Sequence, residues 1–147
     1  MKSFLLDINN KPTLKWGNIP DNVFFEGEIP ENYYLAVCPG IYTILDVDVK
    51  NEKNGFKIID KEVLTFLEQT FNYNTKSGGK HYWFKYTGDK ILINKSTIYG
   101  IDLRIGANKN NCGGYVKYHH NVDIRNCTHL IKNTNDILNN FLEYYFT

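Results

Sequence analysis

The sequence predicts an α+β domain built on a mostly antiparallel sheet. Several short apolar and aromatic runs have the length of β-strands and end at turn residues. Two other segments carry apolar residues at helical spacing. Strands and helices do not alternate strictly along the chain, which argues against a parallel βαβ architecture. Because 147 residues suit one domain, we expect residues 1–147 to fold as a single domain.

The individual elements follow from local patterns. The strand-like runs predict strands at residues 33–37, 41–49, 81–86, 97–103 and 115–118. Residues 1–7 suit a short strand or helix, and residues 23–25 can pair locally. Asp60 can cap a helix that carries Val63, Leu64, Leu67 and Phe71 on one face. A second amphipathic helix is predicted over residues 134–146. Glycine, proline and asparagine predict turns or loops at 39–40, 51–55, 77–79 and 108–114.

Composition and charge exclude several classes of protein. Hydrophobic residues form 42% of the chain and charged residues 22%, so wholesale disorder is excluded. The 17 basic residues nearly cancel the 16 acidic ones, so nucleic-acid binding would require a local groove. Three cysteines are too few for a disulfide framework. No segment has the apolar length of a signal peptide or membrane span. We therefore expect a soluble cytoplasmic protein with no membrane partner.

A pair of acidic residues interrupts the apolar run at residues 45–49. Asp46 and Asp48 are two positions apart, so on a strand they would share one face. Two like charges on one face of an apolar strand cost free energy unless something offsets them. Carboxylates are good ligands for Mg²⁺ or Mn²⁺, so the pair is a candidate metal site. The alternative is a strand end at which water solvates both groups.

A glycine-rich turn precedes the strand that begins with His81. The sequence S-G-G-K-H at residues 77–81 contains consecutive glycines, which let backbone N–H groups approach an anion. Strand alternation places His81, Trp83 and Lys85 on one face, and Tyr82, Phe84 and Tyr86 on the other. The alternative is a glycine turn that leads into an aromatic core strand.

Asp102 and Arg104 form a third candidate pair on one strand face. An acid beside an arginine suits a metal–phosphate site, because the acid can bind the cation while the guanidinium meets phosphate oxygens. The alternative is a surface salt bridge.

The order of these segments, over residues 35–116, resembles the bifunctional DNA primase/polymerase (prim-pol) domain of the archaeo-eukaryotic primase superfamily. Motif I of that family, D-x-D, matches Asp46 and Asp48, and motif II, a histidine after a glycine-rich turn, matches His81. Motif III, a hydrophobic residue followed by aspartate, matches Asp102, and the family's G-G-Y-V segment lies at 113–116. Two segments depart from the family pattern: residues 105–112 lengthen the loop after D-x-R, and residues 117–120 replace an apolar segment.

The resemblance implies an RRM-like antiparallel sheet with flanking helices, joined to a small α/β unit. It implies templated nucleotidyl transfer in DNA replication, with two Mg²⁺ or Mn²⁺ ions about 3.5–4 Å apart. The residues that would hold these ions are Asp46, Asp48 and Asp102. His81 would contact the triphosphate of the incoming nucleotide. The residues that would add phosphate contacts are Ser77, Gly79, Lys80 and Arg104.

The partners implied are a single-stranded DNA template and nucleoside triphosphates, and whether a separate replicative helicase is a further partner stays open. A compact chain with AT-rich coding favours a virus or plasmid, and for a virus the compartment would be the host cytoplasm. Two other functions stay open. One is a catalytically silent prim-pol-like subunit of a replisome that binds nucleic acid or nucleotide, which the short chain favours. The other is a metal-dependent nuclease or phosphohydrolase, which also uses carboxylate clusters.

A cysteine–histidine set has the ligand types of a zinc site. Its members offer two sulfurs and two ring nitrogens: Cys112, His119, His120 and Cys127. The spacing C-x6-H-H-x6-C lacks the short cysteine pair of common zinc fingers, and adjacent histidines on a strand point in opposite directions. We therefore expect a loop thiol, surface imidazoles and a buried cysteine instead of a zinc site.

Overall fold

The computed structural model describes residues 1–106 and 113–147. These residues form two α-helices, α1 (Lys61–Leu67) and α2 (Asp136–Phe146). The strands, in chain order, are β1 (Lys2–Leu6), β2 (Tyr34–Cys38), β3 (Thr43–Val47), β4 (Val49–Lys50), β5 (Lys53–Asn54), β6 (Asn72–Asn74), β7 (Lys80–Lys85), β8 (Lys95–Ser96), β9 (Ile101–Ile105), β10 (Val116–Lys117) and β11 (Lys132–Asn133). Most of the loop predicted at 108–114 lies outside the described residues.

The described strands form a large sheet, a small sheet and a hairpin. The large sheet has the order β11-β7-β3-β9-β8, and β6 also pairs with β7. The small sheet has the order β1-β2-β10, while β4 pairs with β5. Among the strand pairs in the described residues, only β11 with β7 is parallel. The predicted α+β class with a mostly antiparallel sheet is therefore confirmed.

The two helices pack on one face of the large sheet. Leu45, Tyr82 and Leu103 come from its three central strands and are fully buried. They form one core with Val63 of α1 and Leu138 of α2. The hydrophobic effect thus fixes which way these strands face, because every second side chain along them points into this core.

The opposite face of the large sheet packs against the small sheet. Ile44 and Trp83 lie in a second core together with Val37 of β2 and Val116 of β10. The same face carries two polar residues, Asp46, which is two positions from Ile44 on β3, and His81, which is two positions from Trp83 on β7. The functional candidates therefore lie on the face that also meets the second sheet.

Helix and strand ends account for the main differences from the predicted elements. The first helix ends at Leu67, and Phe71 packs against Trp83 in the second core instead of on the helix face. The Asn72 side-chain amide donates to the carbonyl of Thr70 at 2.8 Å and binds the chain just beyond that end. Asp60 occupies the N-cap position but makes no side-chain capping bond.

The strand predicted at 97–103 starts later than expected. Gly100 has φ of +90°, which breaks the extended chain, and β9 begins at the next residue. The preceding residues turn back, so that β8 pairs with β9.

At the N-terminus, residues 1–7 contain a strand, β1. The backbone N–H of Ser3 donates to the Val23 carbonyl at 3.1 Å, and the Phe25 N–H donates to Ser3 Oγ at 2.8 Å, so residues 23–25 contact β1 without forming a strand.

Neither α-helix in the described part of the chain is long and apolar enough to cross a lipid bilayer.

The first core predicts a large difference between two leucine truncations. Leu103→Ala should lower the free energy of unfolding by about 2–5 kcal/mol, because the removed side chain is fully buried between sheet and helices. Leu14→Ala is the control, since Leu14 is 50% exposed, and it should change stability by less than about 0.5 kcal/mol. Urea denaturation of both variants checks this, and equal losses would contradict the assignment of the core.

Candidate metal centre

Strand register brings three predicted site residues into one row across the large sheet. Asp46 of β3 lies opposite His81 of β7 on one side and Asp102 of β9 on the other. Directly opposite residues in antiparallel strands have neighbouring side chains on the same face. The sheet therefore places two carboxylates and one imidazole side by side.

Asp48 joins this row from just beyond the end of β3. Its backbone N–H donates to the Gly100 carbonyl at 2.8 Å, and its carbonyl accepts from the Gly55 N–H at 2.9 Å. A Cβ atom on Gly55 would collide with the Gly100 carbonyl, so glycine is needed at this crossing. The backbone hydrogen bonds to Gly55 and Gly100 thus hold Asp48 next to Asp46.

The three carboxylates that the primase/polymerase resemblance assigns to one site lie close together. Asp46, Asp48 and Asp102 each offer one oxygen, and these oxygens all lie within 4.8 Å of one another. All three residues are half-buried. Mg²⁺ and Mn²⁺ prefer such clustered carboxylate oxygens, which makes this row the candidate metal centre.

Burial and mutual repulsion make the ionised form of this cluster costly. Burial raises the pKa of Asp48, the Asp46 carboxylate raises it further, and Lys50 opposes the shift. Burial also raises the pKa of Asp102, although the neighbouring Arg104 guanidinium lowers it. A bound cation would remove this repulsion.

One oxygen of the cluster is buried without a hydrogen bond. Asp46 Oδ1 has no hydrogen-bond partner among the described residues, although His81 Nε2 lies 3.3 Å away, within ion-pair distance. A buried oxygen left without a donor is costly, and a cation ligated by that oxygen would compensate. The clustered carboxylate oxygens, together with the buried Asp46 Oδ1 that has no hydrogen bond, therefore fit a divalent cation held by the three aspartates.

A buried chain of hydrogen bonds orients His81, whose side chain is only 5% exposed. The Trp83 indole N–H donates to the Tyr73 hydroxyl at 3.1 Å, and that hydroxyl lies 3.0 Å from His81 Nδ1. Burial raises the pKa of Tyr73 well above its usual value, so the hydroxyl keeps its proton. Because the indole can only donate, it uses a lone pair of the hydroxyl oxygen and leaves the hydroxyl proton free to be donated to Nδ1. The neutral imidazole then carries its own proton on Nε2, on the side that faces Asp46.

Arg104 lies beside the carboxylates. Its guanidinium lies 3.8 Å from Asp102 Oδ2 and donates to the Ser96 hydroxyl at 3.2 Å. A cavity of about 440 Å³ adjoins it, with Trp16 and Tyr115 in its wall. There is thus open space next to Arg104 for part of a ligand.

The residues predicted to bind phosphate in and after the glycine-rich turn lie in three different surroundings. A Cβ atom on Gly79 would collide with the Val47 carbonyl, so this glycine lets the turn pack against the end of β3. Ser77 is exposed in that turn, with its hydroxyl 3.4 Å from that of Thr75. Lys80 lies on the opposite face of β7 from His81, where its ammonium donates to Glu68 at 2.9 Å. Lys80 is therefore not brought to the carboxylates, because strand alternation separates it from His81.

The cysteine–histidine set is dispersed as far as it is described. His120 stacks on Tyr73 with 5.2 Å between ring centroids, and Cys127 is buried with its thiol 3.6 Å from the Asp123 carbonyl. Cys112 lies outside the described residues. Within the described ranges, the aspartate cluster is the one group of three or more side chains arranged to hold a metal.

Tyr73 is a residue of the site that the sequence patterns do not reveal. Its role depends on the pairing of β6 with β7, which sets it opposite His81. The N-Y-N sequence of β6 has no strand-like pattern, so no local signal indicates this pairing.

Comparison with protein-family models found none that matches the chain, and comparison with curated protein sequences found no match either.

The hydrogen-bond chain predicts a tautomer shift in Tyr73→Phe. Loss of the hydroxyl removes the donor to His81 Nδ1, so the neutral ring should gain the Nδ1–H tautomer, visible in imidazole ¹⁵N chemical shifts. The Trp83 indole N–H would also lose its acceptor, at a cost of about 1–3 kcal/mol in folding stability. Tyr118→Phe is the matched control, because its buried hydroxyl donates to Val122 and does not contact His81. An unchanged His81 spectrum in Tyr73→Phe would contradict the role of Tyr73.

The raised pKa of Asp48 predicts that removing the ionisable carboxyl group of this residue stabilises the metal-free protein. A folded-state pKa above the unfolded value means that ionisation costs folding stability once the pH exceeds that folded pKa. Asp48→Asn should therefore raise the Tm at neutral pH in EDTA, and the gain should shrink as the pH falls to the ordinary value of 3.8. Mn²⁺ should raise the Tm of the wild type more than that of the variant.

Asp21→Asn is the control for this measurement, because Asp21 is exposed and lies outside the cluster. Thermal unfolding of the three proteins checks the prediction. A lower Tm for Asp48→Asn at neutral pH would show that the ionised carboxylate is stabilised by its surroundings.

Proposed function

We propose that this protein is a template-directed nucleotidyltransferase of the prim-pol type, which joins nucleoside triphosphates on single-stranded DNA. The observation that carries the proposal is the convergence of Asp46, Asp48, Asp102 and His81 on one face of the large sheet. These four residues come from the three segments whose order resembles the primase/polymerase motifs.

The three carboxylates would hold one or two Mg²⁺ or Mn²⁺ ions. Two such ions stabilise the attacking and leaving oxygens when a hydroxyl displaces pyrophosphate from the α-phosphate of a nucleoside triphosphate. The protein supplies the close spacing of the carboxylate oxygens and the half-buried surroundings that strengthen their hold on a cation.

His81 has a defined role in this proposal. Its Nε2–H faces the carboxylates, so it can donate a hydrogen bond to a triphosphate oxygen held there. Tyr73 keeps the proton on Nε2 by binding the other ring nitrogen. Arg104 offers a further donor to phosphate, and the adjoining cavity of about 440 Å³ leaves room for part of the nucleotide.

The fold supports the finer assignment to an RRM-like core. Both helices pack on one face of the large, mostly antiparallel sheet, and the carboxylates lie on the other. RRM folds likewise use the sheet face opposite their helices to bind nucleic acid. In this proposal the small sheet, β1-β2-β10, belongs to the additional unit of the primase fold.

Primer extension tests the proposal. Wild-type protein with Mn²⁺ or Mg²⁺ and labelled nucleoside triphosphates should extend a primer on a single-stranded template. Asp46→Asn and Asp102→Asn should each reduce extension by about 10²–10³-fold, because each would weaken the hold on the cation that stabilises charge at the reacting phosphate. Asp21→Asn should extend at the wild-type rate, and circular dichroism should show that all variants fold.

The other outcomes discriminate between the alternatives. A wild-type protein that binds single strands but never incorporates nucleotide would contradict the proposal in favour of a silent binding subunit. Metal-dependent cleavage of the template that is lost in Asp46→Asn would instead identify a nuclease.

A further inference from the structure

A group of basic side chains that takes no part in the candidate metal centre lies next to it. Lys76 belongs to the glycine-rich turn, Lys117 to β10 and Lys50 to β4. None of these three lysines makes an ion pair with a carboxylate within residues 1–106 and 113–147. Together with His119, these three lysines form what we call the basic cluster.

Two ammonium groups of the cluster contact a single aromatic ring. Lys117 Nζ lies 3.6 Å from the centroid of the Tyr34 ring, and Lys76 Nζ lies 5.3 Å from it. Cation–π attraction holds both amines near this ring. Lys117 also donates to Asn10 Oδ1 at 2.7 Å, so its ammonium is held in place by two neutral partners. Neither partner cancels its charge.

The electrostatics of the cluster show that its positive charges are not neutralised. Burial lowers the pKa of Lys117, and Lys76 and Lys50 lower it further. Burial lowers the pKa of His119 to about 4, with added effects from Lys76, Lys117 and His81, so this imidazole is uncharged at neutral pH and the three lysines carry the positive charge of the cluster. Positive charges that repel one another in this way favour the binding of an anion.

The cluster adjoins the carboxylates through two connections. Gly79 packs the turn that carries Lys76 against the end of β3, next to Asp48. Lys50 lies two residues after Asp48 and acts on the pKa of both Asp48 and Lys117. An anion on the cluster would therefore be next to a ligand whose reacting group lies at the carboxylates.

We propose that Lys76 and Lys117, held on the Tyr34 ring, form a phosphate-binding subsite for the nucleotide substrate of the neighbouring carboxylate site. The choice of a nucleotide phosphate rests on the proposed function. The phosphate belongs either to the backbone of a single strand or to a nucleoside triphosphate, because both present the same anionic oxygens. Tyr34 acts here as a platform for lysine, since Lys117 already covers its ring.

The test compares two double variants with the same change in charge. Lys76→Gln/Lys117→Gln alters the subsite, and Lys57→Gln/Lys61→Gln alters two exposed lysines for which no contact with the cluster exists in the described residues. Binding of a labelled oligodeoxythymidine and of a fluorescent nucleoside triphosphate is followed by fluorescence anisotropy in EDTA at several salt concentrations. EDTA keeps the measurement independent of a metal at the carboxylates.

The subsite variant should bind at least one of the two probes more weakly than the control variant does. If the phosphate belongs to the strand, the slope of log K against log salt should fall in magnitude by about 1.4, because two strand phosphates are no longer neutralised by lysine. If it belongs to the triphosphate, only nucleotide binding should weaken. Tyr34→Phe should retain binding and Tyr34→Leu should lose part of it, because only phenylalanine keeps the ring.

Equal binding of both probes by the subsite and control variants would overturn the proposal. A protein that binds strands through Lys76 and Lys117 but never joins nucleotides would support the subsite while contradicting the proposed function, so the two failures are distinguishable. Thermal unfolding of each variant shows that weaker binding does not come from loss of the fold.

Discussion

The register of β3 against β7 and β9 is the constraint on which the candidate site depends. Leu45, Tyr82 and Leu103 form one cross-strand row in the core under the helices, and Asp46, His81 and Asp102 form the next row on the other face. A slip of one residue would exchange the two faces and bury carboxylates beneath the helices. The fully buried apolar row therefore positions the polar row, although it makes no contact with any ligand.

The same arrangement stores an electrostatic cost in the folded protein. Asp48 and Asp102 have raised pKa values because they are half-buried close to Asp46. A protein optimised only for stability would not retain three carboxylates within 4.8 Å of one another. Backbone contacts of Gly55 and Gly100 hold Asp48 in the cluster against this repulsion. Stability is thus given up at a position where a cation would recover it.

Sequence patterns predicted the parts of the site that depend on local spacing. The fold class followed from strand-like and helical patterns, and the convergence of Asp46, Asp48, Asp102 and His81 followed from ordered motifs. Strand alternation also implies that Lys80 faces away from His81, and the structure has this arrangement. Position in the glycine-rich turn suggests a phosphate role for Lys80, but alternation along β7 decides its direction.

Residues that join the site through strand pairing and belong to none of the recognised motifs could not be predicted. Tyr73 orients His81 only because β6 pairs with β7, and Lys117 reaches Tyr34 only because β10 pairs with β2. Register between distant segments depends on the total packing of both sheets, and single-sequence patterns do not contain it. The positions of Tyr73 and Lys117 in the site are therefore visible only in the folded chain.

The distribution of charge resolves an apparent conflict with the composition. A net charge of +1 provides no general attraction for nucleic acid. In the folded chain, however, the carboxylates and the basic cluster form separate neighbouring regions, with Lys50 adjacent to Asp48 and near Lys117. In the proposed function a nucleotide chain would need both regions at once, because its phosphates would need cationic side chains while its reacting phosphate would need metal-binding carboxylates. A near-neutral composition is therefore compatible with the presence of both regions.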